Sequence, residues 1–182
     1  MNRKETTRFL SNLLISDRLT NKRGVYYASE VSLDYGTTDA KRVDFMQFKP
    51  NGVTCVSDIE KGIFICYEIK SCKEDVYSGN GMNFVGEKNY IVTTMDCYKK
   101  LQADMHSGKL WNHITDCCPE SNLHVGFMVP IPFRAKIDDE YDNPTELNNE
   151  TSWELKIVFP CHEGHRRRST TELLFCMLRS GH

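Results

Sequence analysis

The run IFICYEIK, residues 63–70, limits the fold more than any other stretch of the chain. Its first five residues are apolar or aromatic, enough for one buried strand and far too few to cross a membrane. The run then closes on Glu68 and Lys70. Strand side chains alternate between faces, so Phe64, Cys66, Glu68 and Lys70 all point the same way. A face that begins in the core therefore ends on a carboxylate and an ammonium. Burying either group is costly unless it is paired or put to use.

The neighbouring segments give this strand its setting. Helical spacing of Phe9, Leu10, Leu13, Leu14 and Leu19 predicts a helix over 4–20, with Thr6 or Thr7 near its start and Gly24 as its stop. VYYASEVSLDY (25–35) and RVDFMQF (42–48) predict strands, and KPNG (49–52) a turn. VTCV (53–56) reads as a short extended piece, and YSGNG (77–81) as a flexible lip. TMDCYKKLQADMHSG (94–108) predicts a helix capped by Thr94 and stopped by Gly108. LHVGFMVPIP (123–132) and WELKIVF (153–159) predict two further strands. Residues 137–151 are acidic and polar with Pro144 among them, which reads as a mobile surface loop. STTELLFCMLRS (169–180) predicts a C-terminal helix capped by Ser169 or Thr170, with Glu172 placed for a capping box. This order implies a single α/β domain over 1–182, a mixed sheet flanked by helices.

Charge and cysteine usage narrow the function classes. The net charge is −2 and the isoelectric point about 6.3, so a nucleic-acid partner must be met by a local basic patch. The N-terminal apolar run is broken by Ser11, Asn12 and Asp17 and lacks a small-residue cleavage site, against a signal peptide. The eight cysteines are scattered, and Cys55 and Cys66 lie in apolar runs. They read as reduced thiols of a cytoplasmic protein.

Asp44, early in the second strand, decides whether the charges of the third have a purpose. If the two strands pair antiparallel, Asp44 lies across from Glu68 and Lys70. If 53–57 formed a strand between them, the two would run parallel, and Asp44 would lie roughly 20 Å away along the strand axis. The clustered arrangement gives the charges a use, so 49–62 is expected to be an excursion outside the core sheet. Two carboxylates at a sheet end suit Mg²⁺, and the backbone carbonyl of Ile69 could complete the coordination. The Lys70 ammonium could hold a phosphate or the attacking water.

Asp44 followed by Glu68-Ile69-Lys70 on consecutive strands resembles the PD-(D/E)XK nuclease superfamily. The phrasing KRVDFMQFKP…YEIKS is most similar to its MmcB-like DNA-repair branch and related phage proteins. The resemblance implies a restriction-endonuclease-like core of order α-β-β-β-α-β. It implies DNA hydrolysis with Mg²⁺, or Mn²⁺ in its place. Asp44, Glu68 and Lys70 would be catalytic, with Glu30 of ASEVS an accessory acid. Lys73 and Lys88, beyond the third strand, would touch the scissile phosphate. The superfamily's "PD" is Val43-Asp44 here, and the connection from Asp44 to Glu68 is longer than a tight hairpin.

Three other readings of the residues stand beside this one. Arg166, Arg167 and Arg168 precede a helix N-terminus, where phosphate contacts are favoured. Cys161, His162 and His165 could hold zinc with a fourth ligand such as Cys117 or Cys118, although no paired CxxC is present. The same fold could also serve as a binding module for nucleic acid or a host protein, with little turnover.

Overall fold

The computed structural model describes residues 1–20, 23–52 and 54–180. Its alternating apolar runs assemble into a six-stranded mixed sheet flanked by helices, an α/β architecture. The strands are β1 (Tyr26–Leu33), β2 (Lys41–Lys49), β3 (Ile63–Lys70), β4 (Lys88–Thr93), β5 (Val125–Pro132) and β6 (Trp153–Phe159), lying side by side in chain order. β1, β2 and β3 form an antiparallel meander. β4 and β5 run parallel to β3, and β6 returns antiparallel to β5. Val53 lies outside the described residues. The described chain on either side of it leaves the sheet and forms the short helix α2 (Val56–Glu60), and among the described residues no strand lies between β2 and β3, which pair directly.

Helix α1 (Arg3–Leu14) covers one face of the sheet. Leu10 and Leu14, with Leu19 from the π-helical turn Ile15–Leu19, pack on Phe45, Tyr67, Ile69, Tyr90 and Val92. Its cap is Asn2 rather than Thr6 or Thr7: Asn2 Oδ1 accepts from the Glu5 amide, and Glu5 Oε2 from the Asn2 amide. The opposite face is shared. Helix α4 (Met95–His106) and helix α5 (Lys109–Cys117) cover Ile91, Phe127, Val129 and Ile131. Helix α7 (Thr170–Ser180) covers Val31, Met46, Phe64 and Cys66 through Leu173, Cys176 and Met177.

The caps of α4 and α7 are those expected. Thr94 Oγ1 accepts from the Cys97 amide, and Gly108 sits in the left-handed region at φ 81° between α4 and α5. Ser169 Oγ accepts from the Glu172 amide, but the Glu172 side chain turns to Arg168 instead of closing a box.

Four elements depart from the sequence expectation. KNYIVT is the central strand β4. It is buried on both faces, so it lacks the alternation that marks a half-exposed strand. A short helix α3 (Lys73–Val76) precedes it. Helix α5 has only Leu110 and Ile114 buried, too few positions for a visible period. In the acidic segment 137–151, Ile137–Asp142 is helix α6, held by the buried Glu140 carboxylate, which accepts from the Thr145 amide and hydroxyl.

Arg168 ties the far side of the molecule together. Its guanidinium meets Asp34, Glu120 and Glu172 at 2.6–2.7 Å with its side chain 12% exposed. Removing it leaves partly buried carboxylates without a partner. We expect Arg168→Ala to lower unfolding free energy by about 3 kcal/mol, read from urea denaturation. The same change at exposed Arg167, whose guanidinium reaches only the Pro119 carbonyl, should alter it by less than about 0.5 kcal/mol.

Candidate active site

The β2–β3 register runs from Lys49 opposite Ile63 to Phe45 opposite Tyr67. One further step places Asp44 opposite Glu68. At that step a side chain replaces the backbone partner: the Ile69 amide donates to Asp44 Oδ2 at 2.9 Å. In an extended strand a residue's N–H and C=O point to the same side, so the Ile69 carbonyl also faces the β2 edge. Alternation puts Glu68 and Lys70 on the face of Phe64 and Cys66, whereas β2 breaks its alternation beside Asp44: Val43 packs with Met46 and Phe48 although Phe45 faces the other way. The antiparallel arrangement is the one found, and Asp44, Glu68, Ile69 and Lys70 all line a cleft of about 1070 Å³.

Within that cleft the polar groups are unequally satisfied. Glu68 is fully buried, and neither of its carboxylate oxygens has a hydrogen-bond partner. Lys70 is 4% exposed and donates to the Asn80 carbonyl at 2.7 Å. Burial, and then the neighbouring Asp44 charge, push the Glu68 carboxyl from 4.5 up to about 8 against the pull of Lys70 and of the Met82 and Asn83 amides, which lie near it without closing a well-formed hydrogen bond. Burial also raises Asp44, against the Ile69 amide, Lys70 and Arg42. Two acids face each other, and one keeps its proton near neutrality unless a cation compensates the charge.

The lip adds what the sequence did not disclose. Residues 78–83 fold over the acids, with Gly81 at φ 77° directly against Glu68. A methyl group at Gly81 would overlap Glu68 Oε2 and lie 3.0 Å from Lys70 Nζ. The lip is anchored at its far end by Ser121 Oγ, which donates to the Met82 carbonyl, and by Asn83 Nδ2, which donates to the Arg42 carbonyl. Asp75 is a third carboxylate in the cleft. Burial works to raise it, but the Ser71 amide, Arg3 and Lys70 outweigh burial and hold it below the ordinary value. The cleft also has a cationic rim of Arg3, Lys4 and Arg8 from α1 and Lys41 and Arg42 from β2. A helix read only for its apolar face conceals such a rim.

Several sequence candidates lie elsewhere. Glu30, at φ 52°, is exposed and does not line the cleft; it faces Arg42 at 3.7 Å. Lys73 is paired with Asp104 at 2.7 Å. Lys88 starts β4 opposite Ile65, about 10 Å along the sheet from Glu68, and pairs with Glu163. Arg166 is held by Glu87 at 2.6 Å and Arg168 by three carboxylates, so the arginine run is spent largely on internal pairs. The Cys161 thiol donates to the His124 carbonyl, while Cys117 lies 3.5 Å from His113 and Cys118 accepts from Lys41. Among the described residues, no group of three His, Cys, Asp or Glu side chains is arranged to hold a metal. The candidate site offers two carboxylates and a backbone carbonyl. That set fits Mg²⁺, which keeps several waters and takes one or two protein carboxylates. The unpartnered Glu68 oxygens lie directly beneath Gly81 of the lip.

Comparison with protein-family models, with curated proteins and with solved structures finds no match in any of the three.

The buried acid makes stability depend on pH in a defined direction. The folded chain keeps the Glu68 proton up to about pH 8, whereas the unfolded chain releases it near 4.5. The contribution is therefore full below pH 4.5 and is lost as pH rises through 8. In EDTA, Glu68→Gln should gain on the parent by a few kcal/mol between pH 5 and 8.5, measured by denaturant titration at each pH. Gly81→Ala should destabilise the protein through both its backbone conformation and its overlap with Glu68, by about 1–3 kcal/mol in the same titration.

Proposed function

We propose that the chain is a Mg²⁺-dependent nuclease that hydrolyses phosphodiester bonds in DNA, with Mn²⁺ able to substitute. One observation carries the reading: a fully buried carboxylate with no hydrogen bond, opposite a second acid and two residues from a buried lysine, in a cationic-rimmed cleft. The element order α1, β1, β2, α2, β3, α3, β4 supports a restriction-endonuclease-like core, helix, three strands, helix, strand, once the short α2 is taken as an excursion between β2 and β3. In this reading the core closes at β4, earlier in the chain than the sequence alone suggested.

Asp44 and Glu68 would hold the ion, with the Ile69 carbonyl beside them. When bound, the ion offsets phosphate charge and makes water a better nucleophile near neutral pH. To hold a cation, Glu68 would have to give up its proton to the solvent. The Asn80 carbonyl holds the Lys70 ammonium at a fixed place beside the acids. There it stabilises negative charge that grows on the phosphate, a role exerted mainly in the transition state. Asp75 holds Arg3 at 2.6 Å and so brings a guanidinium to the cleft. Repair, restriction or a phage or mobile-element role would each suit this chemistry. Eight free cysteines support a reducing, cytoplasmic setting. Among the described residues no helix is long and apolar enough to cross a membrane.

The closed lip favours a second reading, a nuclease-fold module that grips nucleic acid or a host protein with little turnover. Glu68 has no exposed surface, so catalysis requires the lip to move.

Cleavage separates the two. Plasmid and single-stranded DNA incubated with Mg²⁺, Mn²⁺ or EDTA should be cut only with metal. Asp44→Asn and Glu68→Gln should each lose about 10²-fold or more while keeping a native circular dichroism spectrum. Lys70→Ala should lose turnover with Mg²⁺ affinity nearly intact by calorimetry. Purified variants that cut as fast as the parent would place the chemistry elsewhere. A parent inert with either metal would favour the binding module.

A further inference from the structure

We propose that the cleft takes duplex DNA by its phosphates without reading sequence, with helix α1 as one gripping wall and the start of β2 as the other. The location rests on the nuclease reading; the mode of grip rests on the rim itself. The chain as a whole is slightly acidic, so attraction for DNA has to be local, acting within roughly a Debye length of the cleft. Lys4 and Arg8 supply it. They are four residues apart, hence stacked on one side of α1, and both are exposed at the cleft. Neither makes an ion pair among the described residues. Arg3, from the same turn, is aimed by Asp75. On the facing wall Arg42 is exposed, and its contact with exposed Glu30 at 3.7 Å is too long and too wet to hold it. Lys41 is less available, with Cys118 at 3.3 Å and Glu120 at 4.0 Å.

What the cleft lacks decides between duplex and single strand. Single-strand sites stack successive bases on aromatic rings, and no aromatic side chain lines this cleft among the described residues. Phe9, also on α1, is turned to Trp153, edge to face at 6.0 Å, and the Trp153 indole N–H is spent on the Asn148 carbonyl. Base edges would need amide or guanidinium groups reaching into a groove. Asn83 is buried, with its Nδ2 committed to the Arg42 carbonyl, and the exposed Asn80 is one amide on the lip, facing guanidiniums that this grip spends on phosphates. Cations on two walls, with no rings between them, fit two phosphate backbones better than exposed bases.

The test uses the full chain carrying Asp44→Asn, so that DNA stays intact, with labelled duplex and single strands of equal length in EDTA. Anisotropy titrations run from about 50 to 200 mM salt. Duplexes of unrelated sequence should bind alike, and about tenfold or more tighter than single strands. Adding Lys4→Gln and Arg8→Gln should weaken duplex binding and flatten log K against log salt by nearly two, about 0.9 for each lost phosphate contact. Both residues are exposed, so the melting temperature should not move; Arg42→Gln provides an independent loss of about one from the other wall. Single-strand binding as tight as duplex binding overturns the proposal, as does an unchanged slope. Tight duplex binding by a parent that never cuts sinks the nuclease reading and leaves the grip standing. Cutting confined to single strands does the reverse.

Discussion

The hydrogen bond from the Ile69 amide to Asp44 Oδ2 organises the functional half of the molecule. It stands where the next backbone rung of the β2–β3 ladder would have formed. A side chain takes the amide, so the two strands can diverge without leaving that donor unpaired. The divergence opens the cleft, and the same bond fixes Asp44 beside Glu68. A neutral residue at 44 with another shape would leave the amide without a partner and the acid pair without its geometry. Fold and site are joined through this one carboxylate.

The rest of the site is an exchange between burial and charge. The face that carries Glu68 and Lys70 begins at Phe64 and Cys66, so the acids inherit a core environment from their own strand. That environment resists a second negative charge next to Asp44, which is why Glu68 holds its proton. Lys70 relieves only part of this resistance, since its ammonium is turned to Asn80. Among the described residues no other cation lies against Glu68 to relieve the remainder, so the proton does so instead. Glycine at 81 lets the lip come close enough to exclude water from Glu68.

Much of this was legible in the sequence, for reasons that differ by residue. Asp44 and Glu68-Ile69-Lys70 could be placed together because strand parity and an antiparallel hairpin fix their relation with no tertiary information. Thr94, Gly108 and Ser169 were readable because capping chemistry is local. The six-stranded sheet was only partly readable: β4 is buried on both faces, and its six residues carry no period to betray them. The pairing of the arginine run was hidden for a related reason. Arg166–Arg168 form the densest basic run, yet Glu87, Asp34, Glu120 and Glu172 come from distant parts of the chain to neutralise two of them. Lys4 and Arg8 look ordinary in sequence and matter only because α1 crosses the sheet beside the acids. Long-range pairing thus made the conspicuous cations structural and left inconspicuous ones at the cleft.

The sheet keeps its strands in chain order from β1 to β6, which bears on how the molecule comes together. No strand has to be threaded late between two others, so each pairing closes a comparatively short loop and the sheet can zip outward from the β1–β2–β3 meander. Helix α1 is the exception. It precedes every strand, yet its partners on β3, β4 and β6 are spread across most of the chain. It must wait, amphipathic and half-stable, until that surface exists. The element that bears the cationic rim is therefore the last to dock, and a partly folded chain would hold the acids at the β2–β3 hairpin before that rim had closed over them.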